Sequence, residues 1–125
     1  MILLLDANVV YWAIADPEQL AAGAREAIAS PANDAVVSAA SVWELEIKRL
    51  AGKLRLDAGL LETLEQTPLP VIAMTDADAV AAAALPMHHR DPFDRMLVAQ
   101  ARRLGAAIVS RDGIFDAYGV DRLAA

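Results

Sequence analysis

The sequence contains no cysteine. Disulfide bonds and thiolate metal sites are therefore excluded. It also lacks any apolar run of the ~18 residues that a membrane-spanning helix needs. The apolar start at residues 1–5 is too short for a signal peptide, has no basic residue and ends at Asp6. These absences predict a cytoplasmic protein with no membrane segment.

Positive charge is scarce as well, since the formal net charge is −6. This argues against broad electrostatic binding of nucleic acid, which depends on many Lys and Arg contacts to phosphate. It does not exclude a nucleic-acid enzyme with an acidic site. Bound divalent cations would make such a cluster far less negative than its formal sum.

Repeats and low-complexity tracts are also missing, and 125 residues suit one domain, residues 1–125. Apolar segments at 2–5, 35–38, 71–74 and 106–109 are predicted strands, and 120–123 is a predicted short edge strand. Helical patterns separate them. The alternation predicts an α/β fold, with helices on both faces of a central, mostly parallel sheet of four to five strands.

The clearest helix signal lies at residues 91–105. Asp91 is a good N-cap, Pro92 suits the first helical position, and Gly105 suits the left-handed residue after the helix. At about 100° per residue, Asp94 lies on the flank of the apolar face and Arg95 lies opposite that face. A carboxylate turned toward a core is costly unless it is paired, protonated or bound to a metal. The alternative is that Asp94 complements the helix dipole and completes a capping box with Asp91.

A second helix is predicted over residues 41–51. Ser41 is the expected cap, with Glu44 three residues later in the capping-box position. Trp43, Ile47 and Leu50 form an apolar stripe that is expected to face the core. Glu44 then lies at the edge of that core face.

Four carboxylates are predicted to converge at one edge of the sheet. Asp6 and Asp112 end strands, while Glu44 and Asp94 begin helices that follow strands or loops on the same side. Four acids cannot all stay ionised in one cleft without a cation. Carboxylate oxygens suit Mg²⁺ or Mn²⁺, which can activate water for phosphodiester cleavage. For Asp6 alone, capping of the next helix is an equally open interpretation.

Several segments in order carry a family resemblance. They read LLLDANV at the start, then SAASVWELEIK followed by GKL, then HRDPFDRMLVAQA, and finally IVSRD with FDAY. Together they resemble the PIN domain over essentially the whole chain, and more narrowly the VapC-type toxins of bacterial toxin–antitoxin pairs. The resemblance implies a three-layer α/β/α fold, Mg²⁺- or Mn²⁺-dependent endoribonuclease activity on RNA, a homodimer and a small VapB-like antitoxin.

The resemblance also implies which residues act. The metal-binding and catalytic acids of the family correspond here to Asp6, Glu44, Asp94 and Asp112. It makes Asp6 and Asp94 direct metal ligands, whereas Glu44 and Asp112 bind metal or orient water. Ser110 matches the hydroxyl often found before the last acid. Ala7 departs from the usual Thr or Ser after the first acid, which removes a supporting hydrogen bond.

Other polar residues fit the site less well. Metal-binding histidines usually need a spacing such as i, i+4, whereas His88 and His89 are adjacent in a loop and are expected to point different ways. Asp91 is better explained as a cap than as a ligand. Basic side chains could hold RNA phosphates near the site or could form a solvated face. These are Lys48, Arg49, Lys53, Arg55, Arg90 and Arg95.

Two other functions compete with a nuclease. A phospho-accepting receiver also has an acidic Mg²⁺ pocket, but it needs an acidic pair after the first strand and an acceptor at the third. Here the third predicted strand, residues 71–74, contains no acid. The other alternative is a catalytically inactive PIN-like module that binds RNA or protein, against which the presence of all four acids argues.

Overall fold

The computed structural model describes all 125 residues. The strands are β1 (Ile2–Leu5), β2 (Asp34–Ser38), β3 (Val71–Ile72), β4 (Ala107–Val109) and β5 (Arg122–Leu123). The α-helices are α1 (Ala7–Ala15), α2 (Ala22–Ala29), α3 (Ala39–Leu50), α4 (Leu60–Glu65), α5 (Asp76–Ala84) and α6 (Pro92–Leu104). Short 3₁₀ helices cover Pro17–Gln19 and Gly113–Tyr118. No helix has both the length and the apolar character that crossing a bilayer requires.

The five strands form one sheet in the order β3-β2-β1-β4-β5, and every neighbouring pair is parallel. The predicted parallel sheet is thus confirmed. The chain moves outward from β1 through β2 to β3 and then returns to the other side of β1 as β4. Ligand sites of open parallel sheets lie beyond the carboxyl ends of the strands at such a change of direction.

Alternate residues of β1 face opposite sides of the sheet, as the two-residue period of a strand requires. Leu3 and Leu5 belong to one apolar core, together with residues of α1, α2, α3 and α4. Leu4 belongs to a second core with residues of α6, such as Leu97, and with Phe115. The fold therefore has three layers, α/β/α, as expected.

Helix α6 begins and ends where its capping residues predict. The Asp91 carboxylate accepts hydrogen bonds from the amides of Phe93 (2.8 Å) and Asp94 (3.2 Å). Gly105 follows the helix in the left-handed conformation, with φ 64°. These caps satisfy backbone groups that have no partner within the helix.

The predicted solvent position of Arg95 is wrong, because this side chain is only 6% exposed. Its guanidinium donates to the carbonyls of Ala82 (2.9 Å) and Leu85 (2.8 Å) at the end of α5 and to Pro86 (3.0 Å) beyond it. The last carbonyls of a helix lack partners within it. Arg95 is buried because it satisfies these groups, so it is not available to hold RNA phosphates.

Helix α3 also differs from its prediction. It begins after Ser38, whose hydroxyl accepts from the Ala40 amide at 3.0 Å, and Ser41 lies buried inside it, so no capping box joins Ser41 to Glu44. The inward face carries the small residues Ala40 and Ser41 and the larger Leu45. The apolar stripe instead faces outward, with Trp43 59%, Ile47 48% and Leu50 76% exposed. Periodicity identifies a stripe, but the neighbouring layer decides whether it is covered.

Candidate functional site: an acidic edge at the centre of the sheet

Asp6 follows the central strand β1 and is buried. One of its carboxylate oxygens accepts from the Val9 amide at 2.9 Å, so the capping interpretation is correct for this residue. Burial raises the pKa of Asp6, while hydrogen bonds from Ser110 and Val9 lower it. The nearby charges of Glu44 and Asp112 raise this pKa further. Asp6 therefore caps α1 and at the same time belongs to the acids at the carboxyl ends of the strands.

Asp112 follows β4, the strand that lies on the other side of β1 from β2. It is exposed, and its carboxylate accepts from the Ile114 amide at 2.9 Å to start the second 3₁₀ helix. Its own amide donates to the Ser110 hydroxyl at 3.0 Å. Ser110 therefore contacts the two acids that follow neighbouring strands.

Glu44 projects from α3 toward the same edge. Its side chain is mostly buried and accepts from Nζ of Lys48 at 2.8 Å, one helical turn later. Its charge raises the pKa values of both Asp6 and Asp94. Glu44 therefore lies close enough to the acids supplied by β1 and α6 for its charge to act on both.

Asp94 is the third residue of α6, and its side chain is 21% exposed. Its Oδ2 lies 2.8 Å from Nε2 of His89, and it makes no reciprocal capping bond to the Asp91 amide. Burial raises the pKa of Asp94 to about 6; the His89 side chain opposes this rise, and the charges of Asp91 and Glu44 add to it. The capping-box interpretation of Asp94 is therefore wrong.

The arginines of α6 do not neutralise Asp94. Arg95 donates to carbonyls at the end of α5. Arg102 donates to the carbonyl of Tyr118 at 2.6 Å, and Arg103 pairs with Asp78. Asp94 is thus left half-buried, with an imidazole as its one nitrogen partner.

The donor atoms form two close groups that share Asp94. Its carboxylate lies within 4.8 Å of ligand atoms of His89 and Asp112 in one group, and of Glu44 and Asp91 in the other. Asp6 belongs to neither group, although its pKa responds to Glu44 and Asp112. The structure therefore brings two of the other predicted acids, Glu44 and Asp112, close to Asp94, and the charges of these two acids also act on Asp6.

His89 belongs to one of these groups, contrary to the prediction from the sequence. Its adjacency to His88 argued against a shared metal site, and the two imidazoles indeed have different neighbours. His89 lies five residues before Asp94, across the loop that enters α6. The one sequence feature that indicates a role for His89 is its position just before the capping residue Asp91. Whether its imidazole reaches the acids depends on the path of the loop.

The donor set fits a divalent cation. Carboxylate oxygens are the ligands that Mg²⁺ and Mn²⁺ prefer. Burial raises the pKa values of Asp6 and Asp94, which means that their charged forms are poorly solvated. A cation held by these oxygens would supply the stabilisation that water and the arginines do not.

Comparison with known proteins agrees with this architecture. The chain matches the PIN domain over residues 3–121. It is 34% identical over 113 residues to Ribonuclease VapC22 of Mycobacterium tuberculosis, an alignment covering 88% of this chain and 86% of that protein.

Solved structures also share the fold, as two examples show. The first is VapBC2 from Rickettsia felis bound to a DNA fragment from their promoter, with TM-score 0.75, 16% identity and coverage of 99% of this chain and 98% of the other. The second is FitAcB from Neisseria gonorrhoeae, with TM-score 0.62, 23% identity and coverage of 98% and 96%. With the match over residues 3–121 and the 34% identity to a VapC protein, the chain belongs to the PIN domain family and is of the VapC type.

Proposed function

We propose that this protein is a metal-dependent endoribonuclease and the toxin component of a type II toxin–antitoxin pair. The observation that carries the proposal is Asp94, a half-buried carboxylate with a raised pKa that adjoins other acids and is not paired with an arginine. The 34% identity to a protein named as a ribonuclease supports RNA as the substrate class.

The four predicted acids have distinct roles in this proposal. Asp6 and Asp94 hold Mg²⁺ or Mn²⁺, and Glu44 and Asp112 hold it as well or orient the attacking water. When bound, the cation supplies a lowered water pKa and stabilises negative charge on the phosphate. The negative charge of these four carboxylates holds the cation in place.

Other residues hold the acids in place. The Asp91 carboxylate fixes the first turn of α6, from which Asp94 projects. Ser110 contacts Asp6 and the Asp112 amide, and so links the ends of β1 and β4. Preorganised ligands reduce the reorganisation that metal binding and catalysis require.

The test is cleavage of RNA by the purified protein with Mg²⁺, with Mn²⁺ and with EDTA. We expect cleavage with either cation and none with EDTA. Saturation at a hundredfold excess over the dissociation constant should raise the free energy of unfolding by about 2.7 kcal/mol. The matched control is Asp34→Asn at the opposite end of the sheet, which should leave both results unchanged.

Mapping of new RNA 5′ ends after induced expression would identify the target. The competing function, a PIN-like module that binds RNA or protein without cleaving it, predicts metal binding with no new ends. That result would overturn the nuclease proposal.

We also propose a VapB-like antitoxin partner and a homodimer. The structures of similar fold include complexes named VapBC2 and FitAcB. An antitoxin Arg or Lys among the acids would replace the charge of the metal, and a guanidinium can bind a carboxylate through two hydrogen bonds.

The exposed apolar stripe of α3 supports association, since such surfaces mark interaction sites. Co-purification with the product of the neighbouring gene tests the first part, and light scattering tests the second. An active, partner-free monomer from the intact operon would contradict both.

A further inference from the structure

His89 brings a nitrogen atom to an edge otherwise composed of carboxylates. Its Nε2 lies 2.8 Å from Asp94 Oδ2, and its ligand atom lies within 4.8 Å of those of Asp94 and Asp112. Adjacent ligands at ~2.1 Å in an octahedral site are about 3 Å apart. The separation of Nε2 and Oδ2 is therefore suitable for two adjacent ligands of one cation, once the proton that they share in their hydrogen bond has been released to solvent.

The loop between α5 and α6 holds His89 in this position. The His89 amide donates to the Tyr118 hydroxyl at 2.9 Å, and that hydroxyl donates to the Pro86 carbonyl at 2.8 Å. Arg95 donates to the His89 carbonyl at 3.1 Å. Tyr118 and Arg95 are both buried, so the backbone of His89 is anchored to the core. Its imidazole consequently has a defined position and is not a mobile surface group.

His88 has different surroundings. It is exposed, and its ring packs edge-on against Tyr118, with 5.2 Å between ring centroids. It does not belong to either group of potential ligands. The chain therefore contains a matched control, an imidazole in the same loop that does not contact the acids.

The two donor groups around Asp94 differ in chemistry. Glu44, Asp91 and Asp94 offer oxygen alone, which suits Mg²⁺. The group with His89 and Asp112 adds an imidazole, which binds first-row transition metals better than it binds Mg²⁺, although Mn²⁺ is the weakest binder of that series. We propose that His89 is a nitrogen ligand of the divalent cation, together with Asp94 and Asp112, and that it makes the site prefer Mn²⁺ to Mg²⁺. This inference rests on the proposed metal-dependent function.

The test uses the full-length protein and Mn²⁺ as a spin probe. Electron spin-echo spectroscopy of bound Mn²⁺ should show coupling to an imidazole nitrogen in the parent and in His88→Ala. The coupling should be absent in His89→Ala and in His89→Gln, where the amide keeps a hydrogen-bond donor near Asp94. Titration calorimetry should show that both His89 variants lose about tenfold or more in Mn²⁺ affinity. Their Mg²⁺ affinity should change much less.

Each outcome decides a separate point. Mn²⁺ that binds the parent in an Asp94-dependent way without nitrogen coupling would overturn the role of His89 and leave the nuclease proposal standing. Equal losses of Mn²⁺ and Mg²⁺ affinity in His89→Ala would overturn the preference. No Mn²⁺ binding by the parent would overturn the metal-dependent function itself. The spectrum of the parent is informative even if a variant fails to fold.

Discussion

Asp78 and Asp94 occupy the same position in two successive helices. Each is the third residue of its helix, Asp78 in α5 and Asp94 in α6, so each carboxylate lies near the positive end of a helix dipole. The pKa of Asp78 is nevertheless lowered to about 2, whereas that of Asp94 is raised to about 6. Helix position therefore does not determine the state of either acid.

The difference comes from their partners. Asp78 accepts two hydrogen bonds from Arg103, at 2.7 and 2.9 Å, and completes a capping box with Thr75. Asp94 is desolvated and has only the His89 side chain as a partner. Asp78 is thus a satisfied structural acid, whereas Asp94 retains the capacity to bind a cation. The predictions below test this contrast.

The largest expected difference is in catalysis. Asp94→Asn should reduce divalent-dependent RNA cleavage by about a hundredfold to a thousandfold, the usual effect of removing one preorganised electrostatic group. Asp78→Asn should retain cleavage, measured at a temperature where it is folded. Comparable cleavage by Asp94→Asn at saturating Mn²⁺ would refute its assignment as a ligand.

The next largest effect concerns Arg95, the arginine adjacent to Asp94 that does not pair with it. Arg95→Met should lower the free energy of unfolding by about 3 kcal/mol, because buried carbonyls at the end of α5 lose their donors. Arg102→Met, on the same helix, removes one hydrogen bond to a carbonyl and should cost about 1 kcal/mol. Urea unfolding measures both. Equal losses would mean that Arg95 has no special role.

Without metal, substitution of the two acids should change the stability of the protein in different directions. In EDTA at neutral pH, Asp78→Asn should lose about 1–2 kcal/mol, a value limited because the Arg103 side chain is 39% exposed and solvent screens the pair. Asp94→Asn should be as stable as the parent or more stable, since it removes a poorly solvated charge. Thermal melts measure this contrast. A lower melting temperature for Asp94→Asn would support a purely structural role for this acid.

The smallest expected effect is the pH dependence of the metal-free protein. Between the ordinary value of 3.8 and about 6, folded Asp94 binds a proton that the unfolded chain releases. Its contribution to stability is complete below pH 3.8 and is lost as pH rises through about 6. Asp78 has the opposite sign, because its contribution is lost as pH falls from 3.8 toward about 2.

Unfolding free energy should therefore rise by about 1–2 kcal/mol as pH is lowered from about 7 to about 4, and then fall. Urea titrations in EDTA at several pH values measure this curve. Asp94→Asn should lose most of the rise, the remainder coming from the raised pKa of Asp6, and should retain the fall. A parent curve that is flat between about pH 7 and 4 would contradict the raised pKa.

Local signals predict the ends of α6 correctly but not the start of α3, where Ser38 and not Ser41 is the cap. The other wrong predictions concern side chains whose surroundings depend on a distant element. The limits of α6 follow from Asp91 and Gly105, whose effects act within one helical turn. The outward direction of Trp43 and the burial of Arg95 depend on which layer packs against α3 and where α5 ends. His89 lies next to Asp94 because Tyr118 and Arg95 hold the backbone of its loop in place.

The residue pattern alone predicts the alternation of strands and helices, with acids after β1 and β4, in the middle of α3 and in the first turn of α6. These features depend on hydrophobic period and on capping residues, which act over a few positions. The charge environment of each acid depends instead on contacts between segments that are far apart in the sequence. Arg103 reaches Asp78 across 25 residues of sequence, while the other arginines of α6 bind carbonyls elsewhere. Solvation and partners set the pKa of a carboxylate, and both are supplied by the packing of distant segments.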